Sequence, residues 1–130
     1  MVEYHGWLNI SQSIDGENES DKILIVNQIK EKIATAFTDG RIVTLKIING
    51  NVMLHCGGIA NHWDNEVKDV VAFFEFISTI AFGTYGVLYI RDTDVDGDNS
   101  NYFKIIRIAK GKLTEFKDGI LSPCNPTIEA

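Results

Sequence analysis

Four aspartates within seven residues are the densest group of ligand-type side chains in this chain: Asp92, Asp94, Asp96 and Asp98, with Gly97 among them. The pattern D-x-D-x-D-G matches the first half of an EF-hand calcium loop. Position 12 of such a loop needs a bidentate Glu, and here it is Phe103. The spacing therefore favours a solvated acidic turn, with a calcium- or small-ligand-binding module at 92–98 as the alternative. Because the carboxylates repel one another, a cation or a basic partner would stabilise the loop, and we take all four as candidate partner-binding residues.

The histidines and cysteines offer little further chemistry. His55 and Cys56 are adjacent on a predicted strand, so their side chains point to opposite faces and cannot share a metal ion. Cys56 is in phase with the apolar Val52 and Leu54, where a cysteine behaves as a small hydrophobic side chain. The sequence contains no G-x-S-x-G, P-loop or dinucleotide-binding motif. We predict no catalytic residue, no metal and no cofactor, and hence no enzyme.

The composition indicates one ordinary globular domain over 1–130, with 45% hydrophobic and 23% charged residues. A formal net charge of −6 argues against general nucleic-acid binding and would suit a basic partner. The two cysteines lack metal-type spacing, and no basic stretch precedes an apolar run at the N-terminus, so we expect a cytoplasmic location. The most apolar stretch, 70–82, is too short to span a membrane.

Apolar periodicity and turn signals predict the elements that position these residues. A period of two predicts a strand over 2–10. A three-to-four spacing predicts a helix over 20–38, capped by Asn18 or Ser20 and stopped by Asp39-Gly40. Asn49-Gly50 predicts a hairpin turn, and Gly57-Gly58 the end of its second strand. The other predicted elements are a helix from 61–65 to 81 and strands over 86–92 and 101–109.

The order β-α-β-β-α-β-β predicts an α+β two-layer domain, in which one mostly antiparallel or mixed sheet carries both helices on one face. Residues 110–130, with two prolines, are predicted to be an extended tail packed on the domain. The second helix is apolar on two stripes, one of which contains Phe73, Phe76 and Ile80. Because a sheet cannot cover both, the other helix, the tail or a partner chain must cover the second, which leaves a homodimer open.

Strand phase also predicts an outer sheet face. If the helices cover the face that carries Leu8, then His5, Trp7, Tyr89 and Arg91 lie on the opposite face. Tyr, Trp and Arg are enriched in protein-binding hot spots, so these four residues join the aspartates as candidate partner-binding residues. The alternative is that the tail covers this face and makes the aromatics a second small core, and the sequence favours neither.

Three stretches give the chain a family resemblance: HGW at 5–7, LYIRD at 88–92 and LSPC-x-P at 121–126. With the helical pattern between them, they resemble the immunity protein 7 family of bacterial polymorphic toxin systems. The resemblance implies a small cytoplasmic protein that binds a cognate toxin domain, often a nuclease, and neutralises it by stoichiometric inhibition. Such inhibition requires neither a catalytic residue nor a cofactor.

Overall fold

Six strands form one open antiparallel sheet with two main helices in a computed structural model that describes residues 1–13, 19–37 and 41–129. The strand order is β2-β3-β1-β4-β5-β6. The strands are β1 Val2–Ile10, β2 Ile42–Ile48, β3 Asn51–Ala60, β4 Tyr85–Asp92, β5 Lys104–Ala109 and β6 Lys112–Lys117, and the helices are α1 Glu19–Ala36 and α2 Asn65–Ile80. The predicted α+β class is confirmed.

The strand β1 lies at the centre of the sheet, between β3 and β4. Its side chains alternate as predicted, and Val2, Tyr4, Leu8 and Ile10 are all buried on the helix face. Gly6 takes the remaining place on that face because a Cβ there would lie 2.8 Å from Cζ of Phe74 in α2. The absence of a side chain at Gly6 therefore lets Phe74 of α2 pack directly on the sheet.

The β2–β3 hairpin turns at Asn49-Gly50 as predicted. Both residues have positive φ, 50° and 81°, which is the backbone that a two-residue type I′ turn requires. The expectation that Gly57-Gly58 ends β3 was wrong, because the strand continues to Ala60. The ring of Tyr4 lies over Gly58, where a Cβ would come within 2.5 Å of its hydroxyl oxygen. The glycine thus makes room for a neighbouring side chain and does not break the strand.

The two helices cover each other's apolar flanks. Phe73 of α2 packs edge-on against Phe37, with ring centroids 5.4 Å apart, and Lys32 Nζ lies 4.9 Å from the ring centre of Phe76. The α1 side thus covers Phe73 and contacts Phe76 of the second apolar stripe, while Phe76 and Ile80 stay half-buried. Asp64 caps α2 by accepting a hydrogen bond from the Glu66 amide at 3.0 Å.

The start and end of the first helix were predicted less well. Ser20, one of the two predicted caps, lies inside α1. The other predicted cap, Asn18, and the predicted stop at Asp39-Gly40 lie outside the described residues. No helix in the described ranges is both long and apolar enough to cross a membrane.

The tail differs from the prediction because residues 112–117 form β6 at the edge of the sheet. Lys110 and Gly111, with φ of 52° and 73°, make a second two-residue turn between β5 and β6. The register across β5 is continuous, so the change of apolar phase at Ile105 and Ile106 reflects burial on both faces and not a bulge.

Candidate partner-binding surface

The outer face of the sheet brings His5, Trp7 and Tyr89 together, as the strand phase predicted. Trp7 lies between His55 of β3 and Val87 of β4, and His5 lies between Gly57 and Tyr89. These side chains line a shallow cleft of about 420 Å³. We call it the outer-face cleft; its lining residues are His5, Gly6, Trp7, Ile42, His55, Cys56, Gly57, Val87 and Tyr89.

Large apolar side chains remain exposed around this cleft. Trp7 is 38% exposed and Tyr85 is 51% exposed, and their rings meet edge to face with centroids 6.1 Å apart. Ile42 and Ile59, on the strands at the other side, are 69% and 67% exposed. Tyr85, Ile42 and Ile59 were missed by the sequence analysis, although the period-two phase that selected Trp7 selects them as well.

Phe103, just before β5, covers part of the outer face, and the C-terminal segment is hydrogen-bonded to its backbone. Phe103 is buried, with its ring centroid 6.4 Å from that of His5 and 6.0 Å from that of Tyr89. Its amide N–H donates a hydrogen bond to Ser122 Oγ at 3.0 Å. Phe103 thus packs beside Tyr89 and is held there by a hydrogen bond to the tail, while Trp7 stays exposed.

Arg91 lies on the same face but does not line the cleft. It pairs with Glu3 of β1, one row beyond Tyr89, and is half-buried. Its Nε is buried and has no hydrogen-bond acceptor in the part of the chain that the structure describes. Arg91 therefore stands between the cleft and the loop that carries the four aspartates.

The acidic loop connects β4 to β5 and includes a 3-10 helix at Gly97–Asn101. Asp94 accepts a hydrogen bond from His62 Nδ1 at 2.9 Å and lies 3.2 Å from the α-amino group of Met1. The hydrogen bond from His62, followed by that from the amino group, lowers the pKa of Asp94. Asp92 is half-buried, Asp94 is exposed but paired within the molecule, and Asp96 and Asp98 are exposed.

The structure gives no support to the calcium alternative. Phe103, at position 12, is buried against His5 and Tyr89 and carries no oxygen ligand. Asp92 Oδ1 accepts the amide N–H of Asp94 at 2.9 Å, which is an ordinary turn interaction. Over residues 1–13, 19–37 and 41–129, no three His, Cys, Asp or Glu side chains are grouped so that they could hold a metal ion.

A larger groove of about 600 Å³ lies beside the acidic loop and was missed by the sequence analysis. It is lined by Asp92 and Val95 of the loop and by aromatic side chains, two of which have a lysine ammonium group over the ring. Lys104 Nζ lies 5.1 Å from the ring centre of Trp63, and Lys117 Nζ lies 3.9 Å from that of Tyr102. The signal that was available is Trp63 itself, a large aromatic residue in the loop before α2.

Cys56 does not have the environment of a nucleophile. Burial raises the pKa of its thiol to about 12, against a small opposing effect of a hydrogen bond from the Gly6 backbone. The thiol is therefore protonated at neutral pH, whereas a reactive cysteine needs the thiolate. Cys124, the other cysteine, is also buried and unpaired.

Comparison with known families gives the functional class of the chain. The sequence matches the family model described as Immunity protein 7 over residues 1–130, the whole chain. The chain belongs to the immunity protein 7 family. No curated protein and no solved structure matched it. Membership implies an immunity protein that acts against a toxin, so the resemblance seen in the sequence is confirmed.

The stretches that carried the resemblance occupy three different environments in this immunity protein. In HGW, Gly6 lies under α2 while His5 and Trp7 point into the outer-face cleft. LYIRD is the second half of β4 and leads into the acidic loop. In LSPC-x-P, Ser122 donates a hydrogen bond to Asp118 at 2.8 Å and holds the tail beside Phe103.

Proposed function

We propose that this immunity protein neutralises a cognate bacterial polymorphic toxin domain by stoichiometric binding, through the outer-face cleft and the neighbouring acidic loop. The toxin surface that it meets is basic, such as the phosphate-binding surface of a nuclease. The proposal rests first on one observation: Trp7 and Tyr85 are both exposed on the outer face of the sheet, and their rings contact each other there.

The composition of the outer face supports a protein-binding role. Trp and Tyr provide a large apolar contact area with few rotatable bonds, and they dominate the binding energy of many interfaces. Trp7, Tyr85 and Ile42 surround a shallow cleft, which would receive a side chain of the toxin. Exposed histidines at 5 and 55 supply polar contacts at the same place.

The acidic loop supports a basic partner. Asp96 and Asp98 face solvent, and the whole chain has a formal net charge of −6. A nuclease carries lysine and arginine residues to hold phosphates, and an acidic surface would compete for them. Opposite charges on two partners chiefly accelerate their encounter.

Inhibition of this kind needs no catalysis by the immunity protein. Cys56 is protonated at neutral pH, and the sequence has no nucleophile motif. We place the protein in the cytoplasm, where a toxin would meet its target. Two unpaired cysteines fit a reducing compartment.

The test is the affinity for the toxin encoded beside this gene, measured by calorimetry together with rescue of growth on co-expression. We expect Trp7→Ala to weaken binding at least about 30-fold, the effect of removing a hot-spot residue. Leu24→Ala on α1 removes an apolar side chain that is more exposed than Trp7, at 62% against 38%, and is expected to leave binding unchanged.

Two results would contradict the proposal. If the wild-type protein neither binds the toxin nor restores growth, stoichiometric neutralisation is wrong. If it binds and the Trp7→Ala protein binds equally well, the toxin uses another surface. Circular dichroism of both variants checks that they are folded.

A further inference from the structure

We infer that two copies of this chain associate through β2, edge to edge, to form a continuous twelve-stranded antiparallel sheet. The strand β2 lies at the end of the sheet and pairs on one side with β3. Within the described residues, no strand covers its other side. The inference concerns self-association and does not depend on the proposed toxin-binding function.

The hairpin turn determines which backbone groups of β2 are free. In a hairpin with a two-residue turn, the flanking residues, here Ile48 and Asn51, form a hydrogen-bonded pair. Because antiparallel pairs alternate, Ile42, Thr44, Lys46 and Ile48 direct their amide and carbonyl groups to β3. Val43, Leu45 and Ile47 direct theirs to the open edge.

These three residues are symmetric about Leu45, which defines a two-fold pairing. Placing Leu45 opposite Leu45 of a second copy puts Val43 opposite Ile47 and lets all three residues of each strand form edge hydrogen bonds. The same register places Ile42 opposite Ile48, and Thr44 opposite Lys46. The one charged residue of the strand therefore does not directly face its own copy, a pairing that would be unfavourable.

The side chains beside this edge are unusually apolar for a free strand. Ile42, Ile47, Ile48 and, on α1, Ile23 are between 51% and 69% exposed. Ile23 lies about half a turn around α1 from Lys32, which contacts α2, so it is on the flank away from α2. Isoleucines exposed to this degree supply roughly 400 Å² per copy, about half of the roughly 800 Å² that each partner buries in a standard interface.

The opposite edge of the same sheet shows the contrast. The edge strand β6 has the sequence KLTEFK, with Lys112, Glu115 and Lys117. Charged side chains of this kind protect an edge against pairing with another chain. The strand β2, IVTLKII, has one lysine and no carboxylate, so its edge also lacks the acidic charge that would repel a second copy of a chain with net charge −6.

The first test is the oligomeric state of the isolated protein by sedimentation velocity over a range of concentrations. We expect a reversible dimer for the wild type. The double variant Ile42→Lys, Ile48→Lys should raise the dimer dissociation constant at least tenfold. A control with Val95→Lys and Ile120→Lys, two exposed apolar residues in the segments after β4 and β6, should leave it unchanged.

Cysteine cross-linking tests the register. We expect Leu45→Cys to form a disulfide-linked dimer on mild oxidation, because a hydrogen-bonded antiparallel pair has Cα atoms about 5.5 Å apart, within disulfide range. Ile47→Cys is the control, since it is more exposed but would lie about 13 Å from its own copy in this register. Cross-linking by random collision would favour Ile47→Cys.

A wild-type protein that is monomeric at all concentrations overturns the inference. A dimer that survives the two lysines, or that cross-links better through Ile47→Cys, also overturns it, because the copies then meet elsewhere. If the isolated chain is monomeric and the single variant Ile48→Lys, which lies outside the outer-face cleft, loses toxin binding, the edge pairs with a strand of the toxin and not with a second copy.

Discussion

At the scale of single residues, β1 alternates between buried side chains that pack under the helices and side chains that face outward. Gly6 faces the helices and admits Phe74, while Trp7, the next residue, faces outward and remains exposed. The two residues can be changed separately, since they lie on opposite faces of the sheet. A loss of stability and a loss of toxin binding should therefore come from different substitutions in the same tripeptide.

Gly6→Ala is expected to lower the free energy of unfolding by about 1–3 kcal/mol, as for overpacking of a core. The added methyl would meet Phe74 Cζ at 2.8 Å and Leu88 Cδ1 at 2.9 Å, so the helix or the side chains must move. Urea denaturation measures the change. Gly119→Ala, with no atom within 4 Å of the new Cβ, is the control and should not destabilise the protein. Equal stability of the two variants would show that α2 accommodates the added methyl group with no loss in the free energy of unfolding.

Cys56 provides a second prediction at this scale. With a pKa raised to about 12 and a buried side chain, its thiol should react with a disulfide reagent at least 100-fold more slowly in the folded protein than in urea at pH 8. The variant Cys124→Ala isolates the reaction of Cys56. Rapid modification of the folded variant would contradict the buried position and would reopen a catalytic role.

At the scale of elements, the loop after β6 is held by one buried carboxylate. Asp118 accepts hydrogen bonds from the amides of Ile120 and Leu121 at 3.0 and 3.1 Å and from Ser122 Oγ at 2.8 Å. Burial raises the pKa of Asp118, but the hydrogen bonds together outweigh it, so the pKa is lowered overall. This explains why D-G-I-L-S-P-C folds back beside Phe103.

Asp118→Asn should lower the free energy of unfolding by about 1–3 kcal/mol at pH 7. The reason is that an NH₂ group, which donates, replaces one of the two carboxylate oxygens that accept hydrogen bonds. Since the folded-state pKa is lowered, the stabilisation is complete above the ordinary Asp pKa of about 4 and is lost as the pH falls through the folded value. The difference between wild type and Asp118→Asn should therefore shrink below about pH 4. Urea titrations from pH 7 to 3 measure it.

The matched control for this prediction is Glu129→Gln, an exposed carboxylate in the same C-terminal segment, which should leave the stability at pH 7 unchanged. A difference between wild type and Asp118→Asn that stays constant down to pH 3 would show that the charge of Asp118 is not what the loop requires.

The elements that the sequence predicted correctly are those with a local signal. Asn49-Gly50 correctly predicted the first hairpin, and the alternation from Val2 to Ile10 correctly predicted which side chains of β1 lie on each face. The strand β6 was missed because Leu113 and Phe116 are out of phase and the strand forms by pairing with β5. Lys110-Gly111 was the available turn signal. The end of β3 was misplaced because the contact of Tyr4 with Gly58 joins residues far apart in sequence.

The residues of the candidate site were likewise predicted correctly where the sequence signal is local and missed where it is not. The phase of β1 and β4 correctly placed His5, Trp7 and Tyr89 on one face. The position of the tail beside Phe103, and the pairing of Asp94 with His62, depend on long-range packing and gave no sequence signal. Which residues bind the toxin therefore stays a prediction that the Trp7→Ala experiment addresses.

At the scale of the whole molecule, the acidic loop and the exposed apolar residues of β2 lie on different parts of the surface. The carboxylates of the loop after β4 lie at one end of the sheet, and the exposed apolar residues of β2 lie along one edge. The outer-face cleft lies between them, on β1, β3 and β4, with Ile42 of β2 at its border. A toxin bound at the cleft and the loop would leave the backbone groups of the β2 edge unpaired. Because Ile42 both lines the cleft and lies on β2, Ile48→Lys, outside the cleft, is the variant that separates self-association from toxin binding.

The acidic loop should act mainly on the rate of association with the toxin. We expect the rate constant to fall about tenfold or more between low and physiological salt, with a much smaller change in the dissociation rate. Asp96→Asn with Asp98→Asn should lower the rate at low salt and flatten this dependence, because both carboxylates face solvent. Asp94→Asn should have a smaller effect, since that carboxylate is paired with His62. Stopped-flow tryptophan fluorescence measures these rates.

The control must remove the same charge elsewhere. Glu31→Gln with Glu75→Gln changes the formal net charge from −6 to −4, as the loop pair does, but on the exposed surfaces of the two helices. If the toxin meets the loop, the loop pair should slow association several-fold more than the helix pair, since only nearby charges escape screening at physiological salt. Equal effects of the two pairs would mean that the toxin senses the net charge alone and approaches another face of the sheet.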